Sequence, residues 1–263
     1  MEQLMTAPWH MIKYDGAVFK ELDDEIVTEV PLTIRVNSVE FATIVCSPDA
    51  LEDMTIGFLA AEGLIRSTEE IEEIVLNEDR GFVDVELFLK KPILQENYSK
   101  RWIGSCCGKS RQFYLQNDMR TAKTILSHTQ VGPEQCIQLM RALFESSTEF
   151  QKTGGVHNAA LCDEDRILVS RADIGRHNAL DKIYGHCLRH KLAMSDKIIA
   201  FSGRMSSEIV LKAAKMGVGI LLSKSAPTDL ALKLADDLQI TAIGFIRGGQ
   251  MNIYTHPHRV KLN

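Results

Sequence analysis

From residue 132 onward, short apolar runs alternate with amphipathic stretches, and this alternation constrains the fold more than any other feature of the chain. Pro133 to Ser147 has apolar residues at helical spacing. Ala159 to Cys162 and Ile167 to Ser170 read as a hairpin turning at Asp163-Glu164-Asp165-Arg166, and Asn178 to His190 reads as helix. Ile198 to Phe201 is then strand, Ser206 to Met216 helix, Val218 to Leu222 strand, Pro227 to Leu238 helix and Thr241 to Ile246 strand. Strand–helix–strand repetition with short links predicts right-handed crossovers and a layered α/β/α domain.

The turns of this region are unusual in composition. Gly203-Arg204-Met205-Ser206-Ser207-Glu208, Ser223-Lys224-Ser225-Ala226-Pro227-Thr228 and Arg247-Gly248-Gly249-Gln250 each follow a strand, and the first two open helices. In open α/β sheets, ligands bind beyond the carboxyl ends of the strands, where helix N-termini offer free N–H groups and partial positive charge. Any one of these turns is explained as a cap and a bend. Three in succession, each with Arg or Lys, suit phosphate. None is a Walker loop or a dinucleotide fingerprint, so an ordinary nucleotide hydrolase or dehydrogenase is not indicated. Asp173-Ile174-Gly175-Arg176-His177-Asn178 is a further polar cluster before a helix, and His157 follows Gly154-Gly155 at the start of a strand.

The first half reads as a smaller α+β unit. Val27 to Asn37 is strand, Asn37-Ser38 a turn and Glu40 to Cys46 its partner strand. Pro48-Asp49 opens a helix with Leu51, Met54, Phe58, Ala61 and Ile65 on one face. Ile71 to Leu76 and Phe82 to Leu89 form a hairpin turning at residues 77–81. Residues 91–110 fit no period and are expected to be an irregular, mobile loop. The division expected is residues 1–110 for the small domain and its loop, and 111–263 for the larger one. Residues 1–130 carry 13 Lys+Arg against 22 Asp+Glu, and residues 131–263 carry 17 against 13, so an acidic half precedes a basic one. The net charge of −5 argues against a nucleic-acid binder. No apolar run is long enough to span a bilayer, and the first 20 residues lack a signal-peptide core, so the expectation is a cytosolic protein with no membrane contact.

Six cysteines are present. Cys46, Cys136, Cys162 and Cys187 lie in apolar-periodic surroundings and are expected to be small buried hydrophobes. Cys106 and Cys107 are adjacent and lie among Arg101, Lys109 and Arg111, cations that lower a thiol pKa. An exposed pair in a reducing compartment is oxidation-prone, which points to a reactive rather than an incidental role. A structural zinc site requires four ligands in spaced pairs and cannot be assembled from one adjacent pair.

With these residues in view, the chain resembles the formate dehydrogenase accessory sulfurtransferase family (FdhD) from about Val27 to Tyr254. The stretches carrying the resemblance include Glu29-Val30-Pro31-Leu32, Thr55-Ile56-Gly57-Phe58-Leu59, Cys107-Gly108-Lys109 and Thr153-Gly154-Gly155-Val156-His157. They continue with Asp173 to Lys182, Gly203 to Glu208, Ser225-Ala226-Pro227-Thr228 and Gly244-Phe245-Ile246-Arg247. The resemblance implies a sulfurtransferase that carries sulfur as a cysteine persulfide from a cysteine desulfurase to the molybdenum cofactor, in its bis-molybdopterin guanine dinucleotide form, for formate dehydrogenase. It also implies a C-terminal domain of cytidine-deaminase-like topology, a homodimer, and the cofactor as substrate with no intrinsic metal. The family pattern Cys-x-x-Cys before Gly-Lys is replaced here by Gly104-Ser105-Cys106-Cys107, so either Cys107 or Cys106 is the carrier. Phe245, Ile246, Arg247, Gly248, Gly249 and Gln250 match the family's cofactor contact, and Arg204, Ser206, Ser207, Lys224 and His177 are the further donors expected to bind it. Two alternatives stand beside this reading. One is a chaperone that only holds the cofactor. The other is a zinc deaminase, which His157-Asn158-Ala159, lacking the required Glu, and the absence of Pro-Cys-x-x-Cys leave without its chemistry.

Overall fold

A computed structural model describes residues 4–89, 102–103 and 122–261. The expected cysteine loop, Cys106 and Cys107, and the division at 110/111 lie outside the described residues. The fold is mixed α/β, built among the described residues on three sheets.

The largest sheet has six strands: β8 (His157–Cys162), β9 (Ile167–Asp173), β10 (Ile198–Phe201), β11 (Ile220–Ser223), β12 (Thr241–Arg247) and β13 (Gln250–Ile253). Their order is β13-β12-β11-β10-β8-β9, with β10, β11 and β12 parallel and the other pairings antiparallel. β10 and β11 are buried at every position, which explains their unbroken apolar sequences Ile-Ile-Ala-Phe and Ile-Leu-Leu-Ser. On one face lies α2 (Pro133–Glu145), with Cys136, Leu139, Met140 and Leu143 set against Ala160, Ile198, Leu222 and Ile243. Pro133 occupies its first turn, and Gln135 accepts the Gly132 N–H at 2.8 Å. A short helix, α3 (Thr148–Thr153), follows. On the other face lie α4 (Arg176–Arg189), α5 (Ser207–Met216) and α6 (Asp229–Asp237). The last two are the β10–β11 and β11–β12 crossovers.

The second sheet has five strands in the order β5-β6-β3-β4-β7: β3 (Val30–Val36), β4 (Val39–Cys46), β5 (Ile71–Asn77), β6 (Phe82–Leu87) and β7 (Trp102–Ile103). Asn37 and Ser38 both have positive φ, 49° and 65°, so the β3–β4 link is the tight primed turn that the sequence signalled. α1 (Leu51–Ala61) covers this sheet, with Phe58 against Phe41 at 5.9 Å between ring centroids. It is shorter than expected: Gly63 turns at φ 76°, and Ile65 enters the core from beyond the helix end. A third sheet, β1 (Thr6–Tyr14) with β2 (Phe19–Val27), is a two-stranded ribbon for which the sequence reading made no provision.

α1 and α4 join the two larger sheets. Gly57 faces Asp181 and Gly185 faces Asp53; a Cβ on either glycine would lie 1.8 Å and 1.7 Å, respectively, from those backbone oxygens. The helices therefore meet backbone to backbone, and one core cluster runs from Leu32 and Phe41 through Met54 to Leu180, Ile199 and Leu221. Buried charge is fully paired at this seam. Asp173, at the end of β9, lies 2.8 Å from Lys182 Nζ, accepts the Ser47 N–H at 3.0 Å, and holds Gly175 N–H and Asn178 Nδ2 at 2.8 and 2.9 Å. Asp53 lies between Arg171 at 2.9 Å and Arg189 at 2.7 Å, and Asp181 pairs with Lys212. Among the described residues, no helix is long and apolar enough to cross a membrane.

Candidate functional site

The carboxyl ends of β9, β10, β11 and β12, together with the start of the antiparallel β8, converge on one edge of the six-stranded sheet. The turns there are tied to one another. Ser202 Oγ accepts the Asn158 N–H at 3.0 Å and lies 3.3 Å from His157 Nδ1. Ser223 Oγ donates to the Gly203 carbonyl at 2.8 Å, and Ser225 Oγ to that of Ser202 at 3.1 Å. Met205 N–H donates to the Ala226 carbonyl at 3.1 Å, and Thr228 N–H donates to that of Met205 at 3.0 Å. Ser223, Ser225 and Thr228 are thus occupied in holding the turns. Gly203 is closely approached: a Cβ there would lie 3.0 Å from Arg176 Cδ, so the arginine side chain would have to give by a few tenths of an ångström.

The residues expected at the site fall into two groups on opposite faces of this edge. The first is at the N-terminus of α5. Ser206 is the N-cap residue, yet its hydroxyl makes no capping bond and its buried Oγ has no hydrogen-bond partner among the described residues. Ser207 opens the helix and Arg204 is exposed beside it. His177 lies in the first turn of α4, with Nε2 3.3 Å from the Glu208 carboxylate. His157 nearby has a depressed pKa, through burial first and the Arg176 charge second.

The second group faces α2. Lys224, Ile246, Arg247, Gly248 and Gly249 border a cavity of about 360 Å³ whose other wall is Ile137, Met140, Arg141 and Phe144. Strand alternation explains the split, since Ser223 and Lys224 are successive residues and project to opposite faces. Lys224 Nζ lies 4.0 Å above the Phe144 ring. Phe245 has φ 54° at a break in the β12–β13 register, and its ring lies 5.5 Å from the Arg247 guanidinium. Gly248 and Gly249, at φ 59° and 77°, make the two-residue turn that pairs Arg247 with Gln250 and leaves all four residues exposed. No ion pair engages Arg141, Arg204, Lys224 or Arg247 among the described residues. An apolar wall with cations at its rim suits a ligand that carries both a flat ring and phosphate. The sequence reading did not single out Arg141 or Phe144. They lie one turn apart on α2, but nothing in a helical period marks which turn will border a cavity.

The described cysteines form no part of this edge. Cys46, Cys136, Cys162 and Cys187 are all buried, and burial pushes each thiol up to about 12. They remain protonated and are shielded from any reactant. Among the described residues, no group of three or more His, Cys, Asp or Glu side chains is placed to hold a metal ion.

Comparison with known proteins agrees with this architecture. Residues 27–261 match the model of the FdhD/NarQ family. The chain is 52% identical over 261 residues to the sulfur carrier protein FdhD of Bacillus subtilis, covering 99% of this chain and 100% of that one. It is 59% identical over 248 residues to the protein of the same name from Geobacillus kaustophilus, covering 94% of each. A crystal structure described as a putative formate dehydrogenase accessory protein from Desulfotalea psychrophila has the same fold, with a TM-score of 0.82 at 24% identity over 98% of this chain and 100% of that one. With the family model spanning both larger sheets from end to end, and full-length relatives at more than half identity, the chain belongs to the FdhD/NarQ family.

Proposed function

We propose that this protein is a sulfurtransferase that carries sulfur as a persulfide on Cys107 or Cys106 and delivers it to the guanine dinucleotide form of the molybdenum cofactor for formate dehydrogenase. The observation that carries the reading is the state of the other thiols: four of the six cysteines are buried, with pKa values pushed up to about 12. Only the adjacent pair, with Arg101, Lys109 and Arg111 in its sequence neighbourhood, has the local charge that favours thiolate. Relatives named as sulfur carriers support the sulfur-carrying role itself.

In this reading the thiolate attacks the terminal sulfur of a persulfide on a cysteine desulfurase. A new S–S bond forms, the donor's S–S bond breaks, and the desulfurase cysteine leaves as thiolate. The cofactor is substrate. The cavity beside α2 accepts one guanine nucleotide: the ring lies along Ile137, Met140 and Phe144, while Lys224, Arg247 and Arg141 neutralise phosphate. The N–H groups at the start of α5, with Ser206, Ser207 and Arg204, form a second phosphate position across the sheet edge. The reactions assigned here are cytosolic.

Mass spectrometry after incubation with a cysteine desulfurase and cysteine tests the carrier role. One added sulfur on the peptide containing Cys106 and Cys107 is the expected result; sulfur on Cys46, Cys136, Cys162 or Cys187 overturns it. Replacing both Cys106 and Cys107 by Ala abolishes formate dehydrogenase maturation if sulfur is carried, and leaves it intact if the protein only holds the cofactor. Calorimetry with GDP tests the cavity: binding is expected, and no heat from folded protein removes the nucleotide assignment.

A further inference from the structure

A cavity of about 420 Å³ opens where the end of α1 meets α4 and α5. It is remote from the carboxyl edge of the large sheet. Ser207 opens α5 at that edge and Lys215, which borders the cavity, lies in the last turn, about 12 Å away at about 1.5 Å per residue. Ala60 and Leu64 give the cavity an apolar wall. Arg66, Lys123 and Lys215 border it together with Glu70.

A helix C-terminus disfavours anions, because its last carbonyls carry partial negative charge. At the end of α1 these carbonyls are occupied. Those of Phe58, Leu59 and Ala60 accept the N–H groups of Glu62, Leu64 and Gly63 at 2.8, 2.9 and 3.0 Å, and that of Ala61 accepts from Lys215 Nζ. Glu70 Oε1 is taken by the Arg66 N–H at 2.7 Å. Arg66 and Lys123 are exposed, and no ion pair engages either among the described residues. Tyr184, on α4, also borders the cavity. Its side chain is 7% exposed, yet its hydroxyl makes no hydrogen bond among the described residues. A buried phenol ordinarily finds a partner. Burial, with the Asp181 charge second, pushes this one up to about 12, so it stays a neutral donor at physiological pH.

We propose that this cavity binds a phosphate monoester with a small apolar body: Tyr184, Arg66 and Lys123 hold the phosphate, and the wall of Ala60 and Leu64 takes the body. Three bordering cations against one carboxylate leave an excess of two positive charges. A phosphate monoester carries about −1.5 to −2 at neutral pH and matches it. A hydroxyl held neutral donates to a phosphate oxygen with no proton to lose. The volume lies within the roughly 300–1,000 Å³ of ordinary small-molecule pockets, and inorganic phosphate alone would leave the apolar wall bare. The inference is independent of the sulfur chemistry and of the cavity beside α2.

Calorimetry on the full chain with phenyl phosphate tests it, with inorganic phosphate and phenol as comparison ligands. Phenyl phosphate is expected to bind, and more tightly than either. Arg66→Ala and Lys123→Ala should each weaken it about tenfold, as the loss of a charge-assisted hydrogen bond does, and Arg66→Lys should retain most of the affinity. Tyr184→Phe keeps the ring and removes only the hydroxyl. It should weaken binding about fivefold, with circular dichroism checking the fold. In the chain labelled with fluorotyrosine, the fluorine signal that Tyr184→Phe deletes should shift on adding phenyl phosphate. Lys224→Ala and Arg247→Ala, which border the cavity beside α2, should leave the affinity unchanged. No binding overturns the proposal. So does binding that Arg66→Ala, Lys123→Ala and Tyr184→Phe leave intact, or that Arg247→Ala abolishes. Equal affinity for inorganic phosphate or for phenol overturns the ligand class.

Discussion

Charged side chains are handled in opposite ways in two regions of the molecule. Between the two large sheets, Asp53, Asp173 and Asp181 are buried, and each faces a cation on a different element: Arg171 and Arg189, Lys182, and Lys212. At the carboxyl edge of the six-stranded sheet, Arg204, Lys224 and Arg247 are exposed and no carboxylate neutralises them among the described residues. The first arrangement fixes one helix against another and leaves no charge for a ligand. The second contributes little to folding and retains a positive field beside free helix N–H groups. Removing a charge should therefore affect stability in one region and ligand binding in the other.

The largest effect is expected at Asp173. Its replacement by Ala leaves Lys182 charged and fully buried with only carbonyl partners, a change that costs about 3–5 kcal/mol. Chemical denaturation should show a large fall in midpoint, and Asp173→Asn combined with Lys182→Met should recover part of it. Recovery of nothing would mean that the backbone bonds to Ser47 and Gly175, rather than the ion pair, dominate.

Gly57→Ala comes next. The methyl group would lie 1.8 Å from the Asp181 carbonyl oxygen, so α1 and α4 must separate. Overpacking of this kind costs about 1–3 kcal/mol, and a backbone obstacle puts this case at the upper end. Thermal unfolding should reveal a loss with Gly185→Ala that is less than additive, because one displacement relieves both clashes.

Asp53 sharpens the comparison through pH. Burial pushes its carboxyl up, but hydrogen bonds from Arg189 and Arg171 outweigh that, and its pKa lies below the ordinary value. A depressed carboxyl contributes stability above the unfolded-state pKa and loses it as pH falls through the folded value. Asp53→Asn should therefore cost most near neutral pH and progressively less as the solution is acidified. Asp181 is the opposite case: burial lifts it to about 6 despite Lys212. Its ionisation costs stability as pH rises from about 4 to about 6, and carbon NMR of its carboxyl should follow the titration directly.

Much of the larger sheet was legible because its central strands β8, β10, β11 and β12 are buried on both faces and punctuated by Gly, Ser and Pro. Ile198 to Phe201 is found with the bounds expected, and Asn37-Ser38 forms the turn anticipated. The ribbon β1–β2 was not legible, because alternation marks a strand only where one side meets a core. Glu21, Asp23, Asp24 and Glu25 leave Leu22 as the sole apolar residue in the middle of β2. β13 escaped because its four residues follow immediately on a Gly-Gly turn. The candidate site was legible as a list of donors, but not as two groups. The division depends on which side of the sheet each residue projects to, and the break in register at Phe245 is invisible in sequence. The buried lysines Lys182 and Lys212 look like solvated helix residues until the helices on either side are placed.

The smallest effect on stability, and the sharpest on function, is expected at the sheet edge. Lys224→Ala and Arg247→Ala remove exposed side chains, and surface substitutions of this kind stay within about 0.5 kcal/mol in unfolding experiments. A charge-assisted hydrogen bond to phosphate contributes about 1.5–3 kcal/mol, so GDP affinity measured by calorimetry should fall about tenfold or more for each. Arg204→Ala provides the internal control. It lies with Ser206 on the face of the sheet away from the α2 cavity, so it should leave GDP binding nearly unchanged while weakening a ligand long enough to reach both groups. Equal losses of GDP affinity at Arg204 and Arg247 would mean that the nucleotide straddles the edge, and the two groups would then be one site. A large stability loss at Arg247 would remove the contrast between the two regions, because that charge would be serving the fold as Asp173 does.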